Sequence, residues 1–97
     1  MTKRMEGKVA LVTGGASRPG LGSAIAERLA EEGAIVIATD VDLAGAEAVA
    51  ADIVANGGQA FALHQDVASE QDWNKLIPSI VADHGRLDVL VNNAGIL

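Results

Sequence analysis

The 97-residue chain fits one domain or part of one, and it contains no apolar run near the ~20 residues of a membrane span. Its 7 basic and 13 acidic side chains give a net charge of −6, which argues against a nucleic-acid or anionic-membrane partner. With 0 cysteines and 0 tyrosines, these residues supply no disulfide, thiol nucleophile, thiolate metal site or tyrosine acid or base.

The first predicted strand is Val9–Val12, a short continuous apolar run of the kind that suits a parallel strand covered on both faces. It leads into Thr13-Gly14-Gly15-Ala16-Ser17-Arg18-Pro19-Gly20-Leu21-Gly22. A helix is expected from Leu21 to Glu32, with Ile25 and Leu29 inward and Gly33 as its stop. The run Ala34–Ala38 predicts a second strand, with Asp40 just beyond it. Asp42 is placed to cap a second helix whose inward face is Leu43, Ala46, Val49, Ala50 and Ile53. Asn56-Gly57-Gly58 ends that helix, and Ala60–Leu63 predicts the third strand.

Beyond the third strand lies His64-Gln65-Asp66-Val67. Ser69-Glu70-Gln71-Asp72 then opens a third helix as a capping box with aspartate in place of glutamate or glutamine. Trp73, Leu76, Ile77, Ile80 and Val81 repeat at helical spacing and predict its inward face. Pro78 removes one donor and is expected to kink the axis, and His84-Gly85 closes the helix. Val89–Val91 predicts a fourth strand, followed by Asn92-Asn93-Ala94-Gly95.

This β-α-β-α-β-α-β order predicts an α/β, Rossmann-type doubly wound parallel sheet, here of four strands and three helices. Right-handed crossovers put the first two helices on one face. The third lies on the other face if the fourth strand pairs beside the first, giving strand order 3-2-1-4. A crevice then opens at the carboxyl ends of strands one and four, where such sheets bind ligands.

The glycine-rich segment sits between a strand and a helix, where backbone can approach a pyrophosphate and the helix N-terminus meets its charge. Asp40 lies at the end of the next strand, where a carboxylate can accept both hydroxyls of an adenosine ribose. A helix cap is the other use for an acid there, but Asp42 fills that role better. His64 and His84 have no partner at ligand spacing, so no metal site is expected. His84 reads as a helix-end cation, and Asp83 and Asp88 as solvated residues beside a turn.

Thr13–Gly22, Asp40, His64-Gln65-Asp66-Val67 and Asn92-Asn93-Ala94-Gly95 together resemble the amino-terminal half of the short-chain dehydrogenase/reductases. The resemblance extends from about Gly7 to Ile96, and Asn-Asn-Ala-Gly after Asp-Val-Leu-Val is its most specific element. It implies that Gly14, Ser17, Arg18, Gly20 and Leu21 line the cofactor loop. It further implies that Asp66 meets the adenine amino group and the Val67 N–H a ring nitrogen. Asn93 with the Ala94-Gly95 backbone packs against the ribose, while Asn92 ties strands together. Taken singly, Asp66 also suits an Asx-turn and Asn93 a plain turn residue. The loop departs from the common family spacing, with five residues between Gly14 and Gly20 where three are usual. That spacing is similar to the divergent enoyl-acyl-carrier reductases, which usually lack Asn-Asn-Ala-Gly.

Asp40 welcomes a ribose hydroxyl and repels a phosphate, so NAD is expected over NADP, although Arg18 could pair with a 2′-phosphate. The family exchanges hydride between nicotinamide and a carbonyl or alcohol, using a serine, tyrosine and lysine that lie downstream of the fourth strand. The expectation is therefore a cofactor-binding half, cut before the catalytic half, with no catalytic residue within residues 1–97. A non-catalytic nucleotide-binding module is the alternative. A homo-oligomer, a cytoplasmic location and a small-molecule substrate are expected for the complete protein. Standing alone, the fourth strand would offer an open edge prone to association.

Overall fold

The structure, a computed structural model, describes residues 4–16 and 20–93. The elements follow the expected order: β1 (Val9–Thr13), α1 (Leu21–Glu31), β2 (Ile35–Asp40), α2 (Leu43–Ala55), β3 (Gln59–His64), α3 (Glu70–His84) and β4 (Val89–Asn92). All strand pairs are parallel, and the sheet order is β3-β2-β1-β4. The register sets Thr13 opposite both Thr39 and Asn92, and Asp40 opposite His64, so the polar ends of the strands share one edge.

Alternate residues of the strands enter two cores. Ala10, Val12, Val36 and Ala60 pack beneath α1 and α2 with Ala26, Ala30, Val49, Ala50 and Ile53. Val9, Leu11 and Ile37 face α3 through Leu76 and Ile80, with Trp73 and Ile77 at the margin. The crossover of α3 to the second face is thus present, and it creates the change of winding direction at β1 and β4.

Full cover on both faces holds for β1 and the middle of β2 but fails on the flanking strands. Phe61 is 51% exposed and Leu90 52%, because among the described residues α3 is the one helix on their face and it lies over the central strands. Two residues expected inward are also largely open, Leu43 on α2 and Val81 on α3. α3 runs unbroken through Pro78 and stops at Gly85, whose φ of 82° suits glycine. The predicted cap of α2 is present, with the Asp42 carboxylate accepting from the Gly45 N–H at 3.0 Å.

Asp88 departs from its expected solvated role. Its carboxylate accepts from the Val9 N–H at 2.8 Å and from the Arg86 guanidinium at 2.7 Å. The Asp88 N–H in turn donates to the Val9 carbonyl at 2.9 Å, so this residue fastens the entry of β4 to the start of β1. The Arg86 hydrogen bond, followed by the Val9 N–H, holds the Asp88 carboxyl below its ordinary value.

Candidate functional site

The glycine-rich segment leaves β1 through Gly14, whose φ of 67° is costly for residues with a Cβ. Gly15 donates to the Thr39 carbonyl at 3.0 Å, which lays the segment across the end of β2. The next N–H, that of Ala16, reaches the Asp40 carboxylate at 3.2 Å. Gly22 allows α1 to press on Gly14, since a Cβ there would overlap the Gly14 carbonyl oxygen and come within 2.8 Å of Asn93 Nδ2.

α1 begins at an extended Gly20 with no side-chain cap, and its first turn carries no acid. Among the described residues, no side chain caps the positive end of this helix. Leu21 beside it is 59% exposed. Ser17, Arg18, Ala94 and Gly95 lie outside the described residues.

Asp40 stands at the end of β2, partly buried. One carboxylate oxygen accepts from Ala16 and the other from the Asp42 N–H at 3.0 Å. An ionised carboxylate offers about four acceptor positions, and the bonds from described residues fill two of them. Asp42 itself takes the helix cap, which separates the two acids as the sequence implied.

The turn after β3 is fixed more firmly than its sequence indicates. Asp66 forms the Asx-turn, its carboxylate accepting from Ala68 N–H at 2.9 Å. Ser69 caps α3 by accepting from Asp72 N–H, but the reciprocal half of the expected capping box does not form. Asp72 instead accepts from the Asp66 N–H at 2.8 Å, while the Ser69 N–H goes to the Asp66 carbonyl. With that donor already occupied, the Asp72 carboxylate reaches three residues further upstream.

Trp73 adds a tie that its core-like spacing concealed: its indole N–H donates to the Val67 carbonyl at 2.9 Å. The Val67 N–H has no acceptor among the described residues. Beneath the turn, Gln65 is buried and accepts from the Thr39 hydroxyl at 2.7 Å, joining the ends of β2 and β3.

At β4, Asn92 accepts from the Thr13 hydroxyl at 3.0 Å, which is the strand-tying role expected of it. Asn93 also makes an internal tie, donating through Nδ2 to the Gly14 carbonyl at 3.3 Å. The second asparagine therefore holds β4 against the first turn of the glycine loop. Among the described residues, no group of three or more His, Cys, Asp or Glu side chains could hold a metal ion, and no helix could cross a membrane. His84 lies against Phe61 with ring centroids 5.1 Å apart, away from the crevice.

The carboxyl edge thus brings together the N-terminus of α1, the described part of the glycine loop and two acids at the ends of neighbouring strands. The sequence profile of short chain dehydrogenases matches residues 8–97. The chain belongs to the short-chain dehydrogenase/reductase family. Among family members, a 2,5-dichloro-2,5-cyclohexadiene-1,4-diol dehydrogenase of Sphingobium indicum is 47% identical across 100% of this chain and 38% of its own length. A 3-beta-hydroxysteroid dehydrogenase of Comamonas testosteroni is 44% identical across 100% of this chain and 36% of its own. A hydroxysteroid dehydrogenase structure from Escherichia coli superposes with a TM-score of 0.87 at 37% identity, covering 94% of this chain and 38% of that one. A metagenomic short-chain oxidoreductase in complex with NADP gives 0.89 at 41% identity, covering 95% and 41%. The chain therefore spans less than half the length of these relatives.

Proposed function

We propose that this chain is the dinucleotide-binding part of an NAD(P)-dependent oxidoreductase acting on a carbonyl or alcohol, with NAD preferred. The observation that carries this reading is the Asp40 carboxylate. It sits beside the glycine loop at the end of β2, partly exposed, with bonds from described residues filling two of its acceptor positions. The residues fit the cofactor in three further places. The N-terminus of α1 meets pyrophosphate charge, Gly22 lets that helix press on the Gly14 backbone, and Asp66 with the Val67 N–H presents an acceptor and a donor to an adenine edge. Ser17, Arg18, Gly20, Leu21, Asn93, Ala94 and Gly95 complete the proposed set.

When bound, the nicotinamide supplies hydride-transfer chemistry. What these residues do is bind and orient the adenosine end. The serine, tyrosine and lysine of the family's chemistry are assigned to the further length that the relatives possess, since this sequence holds 0 tyrosines. We place the complete protein in the cytoplasm as a homo-oligomer using a small-molecule substrate. The names of its relatives support the small-molecule substrate.

The preference for NAD rests on Asp40, because a carboxylate at the ribose edge repels a 2′-phosphate. Trp73, the single tryptophan, reports on the site through its bond to Val67. Titrating the chain with NADH and NADPH should change Trp73 emission saturably, with tighter binding for NADH. No saturable change with either dinucleotide would refute the proposal, and tighter NADPH binding would refute the preference.

A further inference from the structure

Gly45 breaks a local rule of its helix. It occupies the third residue of α2, within Leu-Ala-Gly-Ala-Glu-Ala-Val-Ala-Ala, where alanine would favour the helix more. Its backbone is ordinary for a helix, so the reason for glycine lies in its surroundings. A Cβ at this position would lie 2.5 Å from Asp42 Oδ2 and 2.9 Å from Ala16 Cβ.

Those two neighbours are the residues whose N–H groups hold Asp40, Ala16 on one carboxylate oxygen and Asp42 on the other. Asp42 has little freedom to move aside, because its other carboxylate oxygen caps the Gly45 N–H at 3.0 Å. A side chain at residue 45 must therefore push Ala16 outward or turn Asp42. Displacing Ala16 carries off the N–H that holds one Asp40 oxygen, whereas turning the Asp42 side chain leaves the Asp42 N–H on the other.

We infer that Gly45 is a positioning residue for nucleotide selectivity: its missing side chain lets the glycine loop seat on the first turn of α2 and so fixes the Asp40 carboxylate. The inference rests on the proposed dinucleotide reading. With the loop seated, Asp40 is held by donors from both sides and has no cheap rotation away from the ribose edge. With the loop displaced, the carboxylate turns more freely, which weakens its hold on ribose hydroxyls and relieves its repulsion of a 2′-phosphate.

The test compares wild type, Gly45→Ala, and the double variant Ala16→Gly/Gly45→Ala, using Trp73 emission with NADH and NADPH together with thermal melting. Gly45→Ala should lower the NADH-over-NADPH preference by about 3- to 10-fold, the scale of one weakened charge-assisted hydrogen bond. Its melting temperature should change little, because the helix gain from alanine is offset by the weakened Ala16 contact. In the free chain the Ala16 amide should exchange faster with solvent. Removing the Ala16 methyl in the double variant should restore most of the preference, a reversal that loss of helix stability could not produce. It also serves as the folded comparison if Gly45→Ala proves poorly folded. An unchanged preference in Gly45→Ala with NADH still bound would overturn the inference and leave the dinucleotide reading standing. A double variant no better than the single would do the same. A wild-type chain that binds neither dinucleotide would remove the proposed function and this inference with it.

Discussion

Replacing Asp40 by alanine separates its two roles, holding the loop and selecting the nucleotide. In the free chain the substitution strips the acceptor from the Ala16 N–H at 3.2 Å and from the Asp42 N–H at 3.0 Å. At ~0.5–1.5 kcal/mol net per bond, the fold should lose about 1–3 kcal/mol, a large share of a small domain's stability. The nucleotide effect adds to this. Two ribose hydroxyls bonded to an ionised acceptor contribute a net ~1.5–3 kcal/mol after water competes for the same groups, so NADH binding should weaken roughly 10- to 100-fold. NADPH loses the same loop anchor but escapes the repulsion of its 2′-phosphate, and its binding should change by less than about 3-fold. Asp40→Asn is the control, since its amide oxygen retains one backbone bond while the charge disappears. The assay is a titration of Trp73 emission at a temperature where melting shows each variant folded. Equal losses for both dinucleotides would refute the reasoning, because a purely structural aspartate cannot tell a hydroxyl from a phosphate.

Trp73→Phe keeps an aromatic ring and deletes the indole donor to Val67, so it should cost ~1 kcal/mol of stability and weaken NADH binding a few-fold, followed by calorimetry. Unchanged binding would show that the Val67 turn needs no anchor. Thr39→Val leaves the buried Gln65 amide without its hydroxyl partner and should cost ~1–3 kcal/mol in denaturant melts. Adding Gln65→Leu should recover most of that loss, because Gln65 Nε2 already lacks a partner and both polar groups then leave together. Asp88 has a lowered folded pKa, so its contribution is fully present above the ordinary carboxylate pKa and is lost as pH falls through the folded value. Asp88→Asn should reduce the acid-side slope of stability against pH, measured by melts from neutral to acid conditions; an unaltered slope would remove Asp88 from the clamp.

Much of the local geometry along the carboxyl edge was legible because near neighbours set it. Gly14, Asp40 and the caps Asp42 and Ser69 are set by turn geometry and by the nearest helix end, which short stretches of sequence display. The alternation of apolar runs with helical spacing likewise sufficed for element order, while the 3-2-1-4 sheet hung on the fourth strand pairing beside the first, as it does. The spacing of Trp73 showed its apolar face but could not show its indole partner. Asp88 looked like any acid beside a turn, since nothing near it announces Val9.

The sequence by itself determined the class of fold and which residues follow the strand ends, because backbone preferences and hydrophobic period act over a few neighbours, and its motifs carried the resemblance to the family. Tertiary structure decided what those residues hold. Asp40 meets Ala16 across 24 positions, and Asn93 meets Gly14 across 79. It also decided that, among the described residues, one helix covers the second face, leaving Phe61 and Leu90 open where their apolar runs predicted cover. Gly45 belongs with these: in the chain it is a poor helix residue, and only the fold shows the loop that fills the place of its side chain.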